Sequence, residues 1–299
     1  MMAVSVPLVD LRAQPRTSAQ PDVHDPLEES QLFYGERVRL LKTQGEWAYV
    51  EATEQPEFTH ARRWQGYPGW VPAKVLVPFD PLLEPEIIVT EKWASVWNDP
   101  YRSSRSPWRF SLGTRLKATD IGGVLWRVEL LDGTDAWLDR PAAQPLADLK
   151  VLPPPERRRI ILRNAQLFLG DAYYWGGRSP SAGASSHQVT GIDCSGLVNL
   201  AYRAAGIDIP RDAHEQFLRA RPIETPGPAD LIFLSERANP KRIVHVMLYA
   251  GEGEVIEGPG TGKAVHRIDL AKRLGRPLDE LSPGAVIDEQ TVFFGSYLP

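Results

Sequence analysis

Three consecutive prolines, Pro153-Pro154-Pro155, constrain this chain more than any other feature. Proline lacks a backbone N–H and fixes φ, so such a run cannot occupy a helix interior or a central strand and reads as a linker. The two sides of the tract differ in kind. Before it, short apolar segments are separated by Gly, Pro and Asp: Arg37-Val-Arg-Leu-Leu41, Trp47-Ala-Tyr-Val50 and Gly69-Trp-Val-Pro72 come first. Arg115-Leu-Lys-Ala-Thr119, Val124 to Leu130 and Ala136-Trp-Leu138 follow. That pattern predicts small strands and turns. After the tract, Arg157 to Leu169 places Ile160, Ile161, Ala165, Phe168 and Leu169 on one helical stripe, and Gly170 supplies a stop. The expected fold class is therefore α+β, with all-β units over 1–80 and 81–150 and a mixed unit over 151–299.

In both β units a Trp-bearing strand precedes a turn and a second Trp-bearing strand. This weak internal repeat resembles the bacterial SH3 barrel, whose Gly-Trp-Val ending is reproduced at Gly69-Trp70-Val71 and more loosely at Ala136-Trp137-Leu138.

The totals narrow the function classes. A net charge of −4 with 24% charged residues gives no reason to expect a nucleic-acid partner. No segment approaches the ~20 apolar residues that span a bilayer. The amino terminus lacks a basic start, and Pro7 and Asp10 break its apolar stretch, so no secretory signal is expected and a cytoplasmic location is. The six histidines lack ligand spacing with one another or with the single cysteine, and no glycine-rich phosphate loop is present, so neither metal nor cofactor is expected.

That cysteine, Cys194, follows Asp193 and opens the apolar run Leu197-Val-Asn-Leu-Ala-Tyr202, which ends at Gly206. Asp193 is a good N-cap and Gly206 suits a left-handed C-terminal position, so Cys194 is predicted in a first helical turn. The N–H groups and dipole there favour a thiolate nucleophile, whereas a lone cysteine taken by itself is more often a buried core residue. His245 lies in the β-type run Ile243-Val-His-Val-Met-Leu-Tyr249, where a histidine in isolation is more often structural. Nucleophile followed by base is nonetheless the order a thiol peptidase needs. The chain turns at Gly251-Glu-Gly253 and returns as Glu254-Val-Ile-Glu257, which places Glu257 on the face of His245 as a carboxylate orienter, unless a bulge turns it to the rim.

Five motifs occur in order: Tyr173-Tyr-Trp-Gly-Gly177, Asp193-Cys-Ser-Gly-Leu197, Pro210-Arg-Asp-Ala213, Asp230-Leu-Ile-Phe-Leu234 and Val244-His-Val246. Together they resemble the NlpC-type cell-wall cysteine peptidases, a papain-like family, over about residues 156–299. The resemblance implies Cys194 as nucleophile, His245 as base and Tyr173 beside the developing oxyanion, with neighbouring Tyr174 competing for that last role. The family usually has a histidine where this chain has Glu257. The segment Arg178 to Gly191 is longer than usual, and its His187 reads as a loop residue.

The order of two SH3-like barrels and then a peptidase resembles the γ-D-glutamyl-L-diamino-acid endopeptidases of murein-peptide recycling, which cleave L-Ala-γ-D-Glu-diamino acid peptides bearing a free amino terminus. That resemblance implies Glu36, Tyr67 and Asp212 around the substrate ammonium, Arg211 and Ser195 around the D-Glu α-carboxylate and backbone, and Trp175 among the substrate-binding residues. Taken alone, Glu36 is equally a solvated turn residue and Asp212 equally a helix N-cap. The competing readings are a secreted autolysin acting on intact peptidoglycan, a non-catalytic wall-peptide binder, and an amidase or acyltransferase on the same scaffold. Nothing in the sequence selects among diaminopimelate, ornithine and lysine or fixes an oligomeric state.

Overall fold

The computed structural model describes residues 1–18, 24–120, 122–181 and 190–299. Seven strands occupy the first part of the chain: β1 (Met2–Val4), β2 (Leu8–Arg12), β3 (Glu28–Phe33), β4 (Arg37–Gln44), β5 (Trp47–Glu57), β6 (Gln65–Pro72) and β7 (Leu76–Pro78). They form one sheet in the order β3-β2-β6-β5-β4-β1-β7 around Leu11, Leu32, Val38, Val50 and Val71. The apolar segments at 37–41, 47–50 and 69–72 fall within β4, β5 and β6. No run in the sequence predicted β1, β2 or β3.

Eight strands follow: β8 (Ile87–Val89), β9 (Trp93–Trp97), β10 (Arg105–Ser111), β11 (Arg115–Leu116), β12 (Ala118–Asp120), β13 (Leu125–Glu129), β14 (Asp135–Asp139) and β15 (Ala143–Pro145). They make a five-stranded sheet, β10-β9-β14-β13-β12, and a three-stranded sheet, β11-β8-β15. Ile87, Val89, Phe110 and Leu138 fill the space between them.

A short helix α1 (Leu146–Lys150) leads to α2 (Pro154–Gln166). The proline tract is thus only partly a linker. Pro153 caps α2, and Pro154 and Pro155 form its first turn, where a missing N–H costs nothing. The helix starts three residues before Arg157 and ends before Leu169, which is left exposed. Next come α3 (Cys194–Arg203), α4 (Ala213–Arg219), β16 (Arg221–Pro222), β17 (Leu231–Glu236), β18 (Asn239–Gly251), β19 (Glu254–Glu257), β20 (His266–Asp269), α5 (Leu270–Leu274), β21 (Val286–Ile287) and β22 (Gln290–Ser296). The sheet order is β16-β22-β17-β18-β19-β20, with β21 paired to β22. All ten residues of α3 are buried, because α3 lies in the core between α2 and the sheet. Among the described residues, no helix is long and apolar enough to cross a membrane.

The three parts meet through buried charge. Arg178 and Arg203 are both buried, and both reach into the N-terminal sheet. Arg178 Nη1 lies 2.7 Å from Glu36 Oε1, and Arg203 Nη2 lies 2.8 Å from Glu54 Oε2 and 3.5 Å from Glu36. Arg203 Nε also donates to the carbonyl of Gly113 in the middle part. Arg115 pairs with Asp208 at 2.7 Å. Burial outweighs Glu36 and lowers the Arg178 pKa to about 10. Arg178 is stranded if Glu36 is removed, whereas Arg203 and Arg115 each contact more than one carboxylate.

Candidate active site

The site is assembled at the N-terminal end of α3. Asp193 has extended backbone and its Oδ1 accepts from the Gly196 N–H at 2.6 Å, so the cap expected from the sequence forms. Its Oδ2 accepts from the Gly176 N–H at 3.1 Å, which ties the 173–177 motif to the helix. Cys194 occupies the first helical position, where backbone N–H groups have no intrahelical carbonyl to pair with. Gly206, with φ +79, follows the other end.

His245 and Glu257 are brought together by the β18–β19 hairpin. Leu248 pairs with Ile256 and Tyr249 with Val255, and a bulge lies towards the turn. The carboxylate therefore shares the face of His245, and His245 Nε2 stands 2.5 Å from Glu257 Oε2. The other ring nitrogen is left for Cys194, with which the imidazole also interacts. Burial disfavours the imidazolium, but the Cys194 sulfur and Glu257 outweigh it and raise the His245 pKa to about 9. Burial would raise Glu257; the hydrogen bonds and charges of His245 and Arg273 overcome it and hold the carboxylate at about 2.

Two partners of Glu257 escaped the sequence reading. Arg273 Nε lies 2.5 Å and His266 Nε2 3.2 Å from Oε1, so one buried carboxylate carries three cationic or polar neighbours. His266 is directly opposite Glu257 in the β19–β20 pairing, a relation visible only once β20 is known. Tyr173 borders the same cleft as Cys194, and burial, Asp193 and Cys194 all favour its protonated phenol. Tyr174 turns away towards Glu28, Asp10 and Asp25, so the geometry favours Tyr173 for the oxyanion side.

The cleft has a volume of about 220 Å³ and is bordered by Tyr173, Trp175, Cys194 and Ser195 on one side. Glu29 and Tyr67 of the N-terminal sheet close one end against Asp212. The Tyr67 hydroxyl lies 3.0 Å from Asp212 Oδ2 and 3.3 Å from Glu29 Oε2. Asp212 has the extended backbone of an N-cap residue, but its side chain caps nothing and faces the cleft. Two-fifths of that side chain meets solvent. Burial by the surrounding protein nevertheless outweighs Arg211 and raises its pKa to about 7.

Two expected substrate contacts are corrected. Glu36 does not border the cleft, since it is buried against Arg178, Arg203 and Gln55, and Glu29 takes the position beside Tyr67. Arg211 is fully buried, and its guanidinium is consumed by both Asp193 oxygens, Ser30, Ser195 and the Gly177 carbonyl. Its charge preorganises Asp193 and is closed to a ligand. Ser195 borders the cleft with its hydroxyl held between Asp193 and Arg211. His187 lies outside the described residues. Among the described residues, no cluster of three or more His, Cys, Asp or Glu side chains is positioned to hold a metal ion.

Residues 170–276 match the NlpC/P60 family. Over 248 residues the chain is 30% identical to a gamma-D-glutamyl-L-lysine dipeptidyl-peptidase of Bacillus cereus, an alignment spanning 81% of this chain and 70% of that one. It is 28% identical to the protein of the same name from Bacillus subtilis over 253 residues, 84% of this chain and 78% of the other. A crystal structure of an NlpC/P60 family protein from Bacillus cereus superposes with a TM-score of 0.79 at 25% identity, covering 100% of both chains.

Proposed function

The chain belongs to the NlpC/P60 family and is a peptidase acting on peptidoglycan peptides, and from that premise we propose that it removes L-Ala-γ-D-Glu from murein peptides whose terminal alanine is free. The observation that carries this reading is the closed acidic end of the cleft, where Glu29, Tyr67 and Asp212 converge. A desolvated ammonium needs anionic and oxygen partners to replace its hydration, and these three groups supply them. The Bacillus relatives, both gamma-D-glutamyl-L-lysine dipeptidyl-peptidases, point the same way. In this reading the two N-terminal β parts are SH3-like units, the first of which walls off the groove.

The chemistry follows from the side chains. Cys194 Sγ attacks the γ-carbonyl carbon of D-Glu, and the oxyanion forms between the Cys194 N–H and the Tyr173 hydroxyl. Imidazolium His245 delivers its proton to the leaving α-amine of the diamino acid as the C–N bond breaks. Neutral His245 then takes a proton from water, which attacks the thioester and releases the dipeptide and the thiol. Glu257 accepts the imidazole N–H throughout and stabilises the charged ring. Peptides with a free amino terminus are those already freed from muramic acid, so this reading puts the enzyme in recycling, in the cytoplasm.

The test compares free and N-acetylated L-Ala-γ-D-Glu-diaminopimelate. Acetylation removes the charge and adds bulk at a closed wall, so kcat/KM should fall by more than about a hundredfold. Cys194→Ala should cleave neither. Equal rates on the two peptides would instead favour an autolysin acting on intact peptidoglycan.

A further inference from the structure

A peptide joined through its γ-carboxyl group keeps its α-carboxylate free, and the structure leaves that anion without the partner expected from sequence, because Arg211 is buried and fully engaged. The described residues around the cleft offer one other guanidinium. Arg242 borders it with Ile243, Val244 and His214. Three consecutive residues of a regular strand cannot all reach one cleft, since alternate side chains point to opposite faces. Here Leu234 pairs with His245, Ser235 with Ile243 and Glu236 with Asn239, so one extra residue is inserted at Val244 and three more, Pro240 to Arg242, lie outside the ladder. Bulges of this kind re-aim side chains beside active sites.

The neighbours of Arg242 hold it in place and prepare a second donor. Arg242 Nη1 donates to Thr59 Oγ1 at 3.2 Å, and the Thr59 backbone N–H donates to Glu215 Oε1 at 3.1 Å. His214 Nδ1 accepts from the Ile243 N–H at 3.3 Å, which leaves the proton on Nε2 as a donor. Burial first, and then Arg242, keeps His214 below its ordinary pKa against the pull of Glu215, so the ring is neutral at pH 7. An ammonium alone would be repelled by a guanidinium in the same cleft. A zwitterion with its charges separated by an amide matches both ends.

We infer that the irregular stretch of β18 from 240 to 244 presents Arg242, assisted by His214 Nε2–H, to the free α-carboxylate of the γ-linked D-glutamyl residue, making Arg242 a specificity determinant. This rests on the reading of the substrate given above. The relevant competitor is the same peptide carrying an α-amide, D-isoglutamine, in place of the carboxylate. A charge-assisted pair to a partly exposed arginine should favour the carboxylate peptide by about tenfold in kcat/KM.

Two measurements on the full chain test it. Turnover of the carboxylate and α-amide tripeptides is measured for the unmodified enzyme, Arg242→Gln and Arg242→Lys. Binding of the product dipeptides L-Ala-γ-D-Glu and L-Ala-D-isoglutamine to Cys194→Ala protein is measured with and without Arg242→Gln. The expected result is a carboxylate preference that Arg242→Gln erases by weakening only the carboxylate ligands, with partial recovery in Arg242→Lys. Loss of both ligands in equal measure would assign Arg242 to holding Thr59 and overturn the inference, as would an unmodified enzyme with no preference. If neither tripeptide is cleaved, the functional reading fails, while the dipeptide binding preference still decides for or against Arg242.

Discussion

Replacing Glu257 with glutamine keeps shape and removes one buried negative charge. Glu257 is fully buried, so His245, His266 and Arg273 all lose the same anion. The rise of His245 from 6.5 to about 9 corresponds to about 3 kcal/mol of preference for the imidazolium, at about 1.4 kcal/mol per unit. It is achieved against opposing burial, with Cys194 contributing before Glu257. A hydrogen bond to a charged group contributes about 1.5–3 kcal/mol, or about one to two pH units. The alkaline limb of kcat/KM, expected near pH 9 in the unmodified enzyme, should therefore move down by about one unit or more. Turnover should fall by roughly 10–10³-fold, bounded by what a triad loses with its orienting carboxylate.

Stability has its own window. Glu257 is depressed in the folded state, so its contribution is complete above 4.5 and is lost as pH falls through about 2. His245 is elevated, so its contribution is complete below 6.5 and is lost as pH rises through about 9. The difference in Tm between the two proteins should be widest between pH 4.5 and 6.5. Glu257→His should not recover the rate, because the Arg273 guanidinium would then face an imidazole instead of a carboxylate. The assays are pH-resolved kinetics on the free tripeptide and thermal unfolding at several pH values. A Glu257→Gln enzyme with unmoved alkaline limb and unchanged turnover would refute the reasoning.

Two further outcomes are expected. Asp212, raised to about 7 in the free enzyme, must be ionised to meet an ammonium, so kcat/KM should decline below about pH 7 with kcat less affected; Asp212→Asn should abolish that limb, and its persistence in the variant would assign it elsewhere. Glu29→Gln should lower kcat/KM with little change in Tm, whereas Glu36→Gln strands buried Arg178 and should cost about 3–5 kcal/mol of stability while folded molecules keep their activity; the reverse pattern in unfolding and kinetics would exchange the two residues.

What the sequence made legible was what is local. The cap at Asp193, the first-turn position of Cys194 and the shared face of His245 and Glu257 depend on spacings of a few residues or on one hairpin, and the structure reproduces that geometry. Glu36 was misplaced because the resemblance put it at the substrate, while the arginines that bury it come from far along the chain. Glu29 was missed because β3 shows no alternation that marks an inward or cleft-facing residue. Arg242 was hidden by the irregular stretch of β18, since period-two counting from His245 puts even-numbered residues on the other face. The role of Arg211 changed because a charged residue in a motif looks available until its buried partners are counted.

The ladder from Arg178 and Arg203 through Glu36, Glu54 and Arg115 to Asp208 also bears on how such chains can be recombined. Each rung takes one side chain from the peptidase part and one from the β parts before it, or joins the two β parts to each other. A peptidase part cut free would expose its acidic cleft end, take Glu36 from Arg178, and leave Arg203 with Asp208 in place of Glu36 and Glu54. A foreign N-terminal part would have to bring carboxylates at matching heights before it could bring a new wall. The N-terminal sheet and the catalytic part are therefore physically coupled, and a graft that replaces one must carry both sides of that ionic seam.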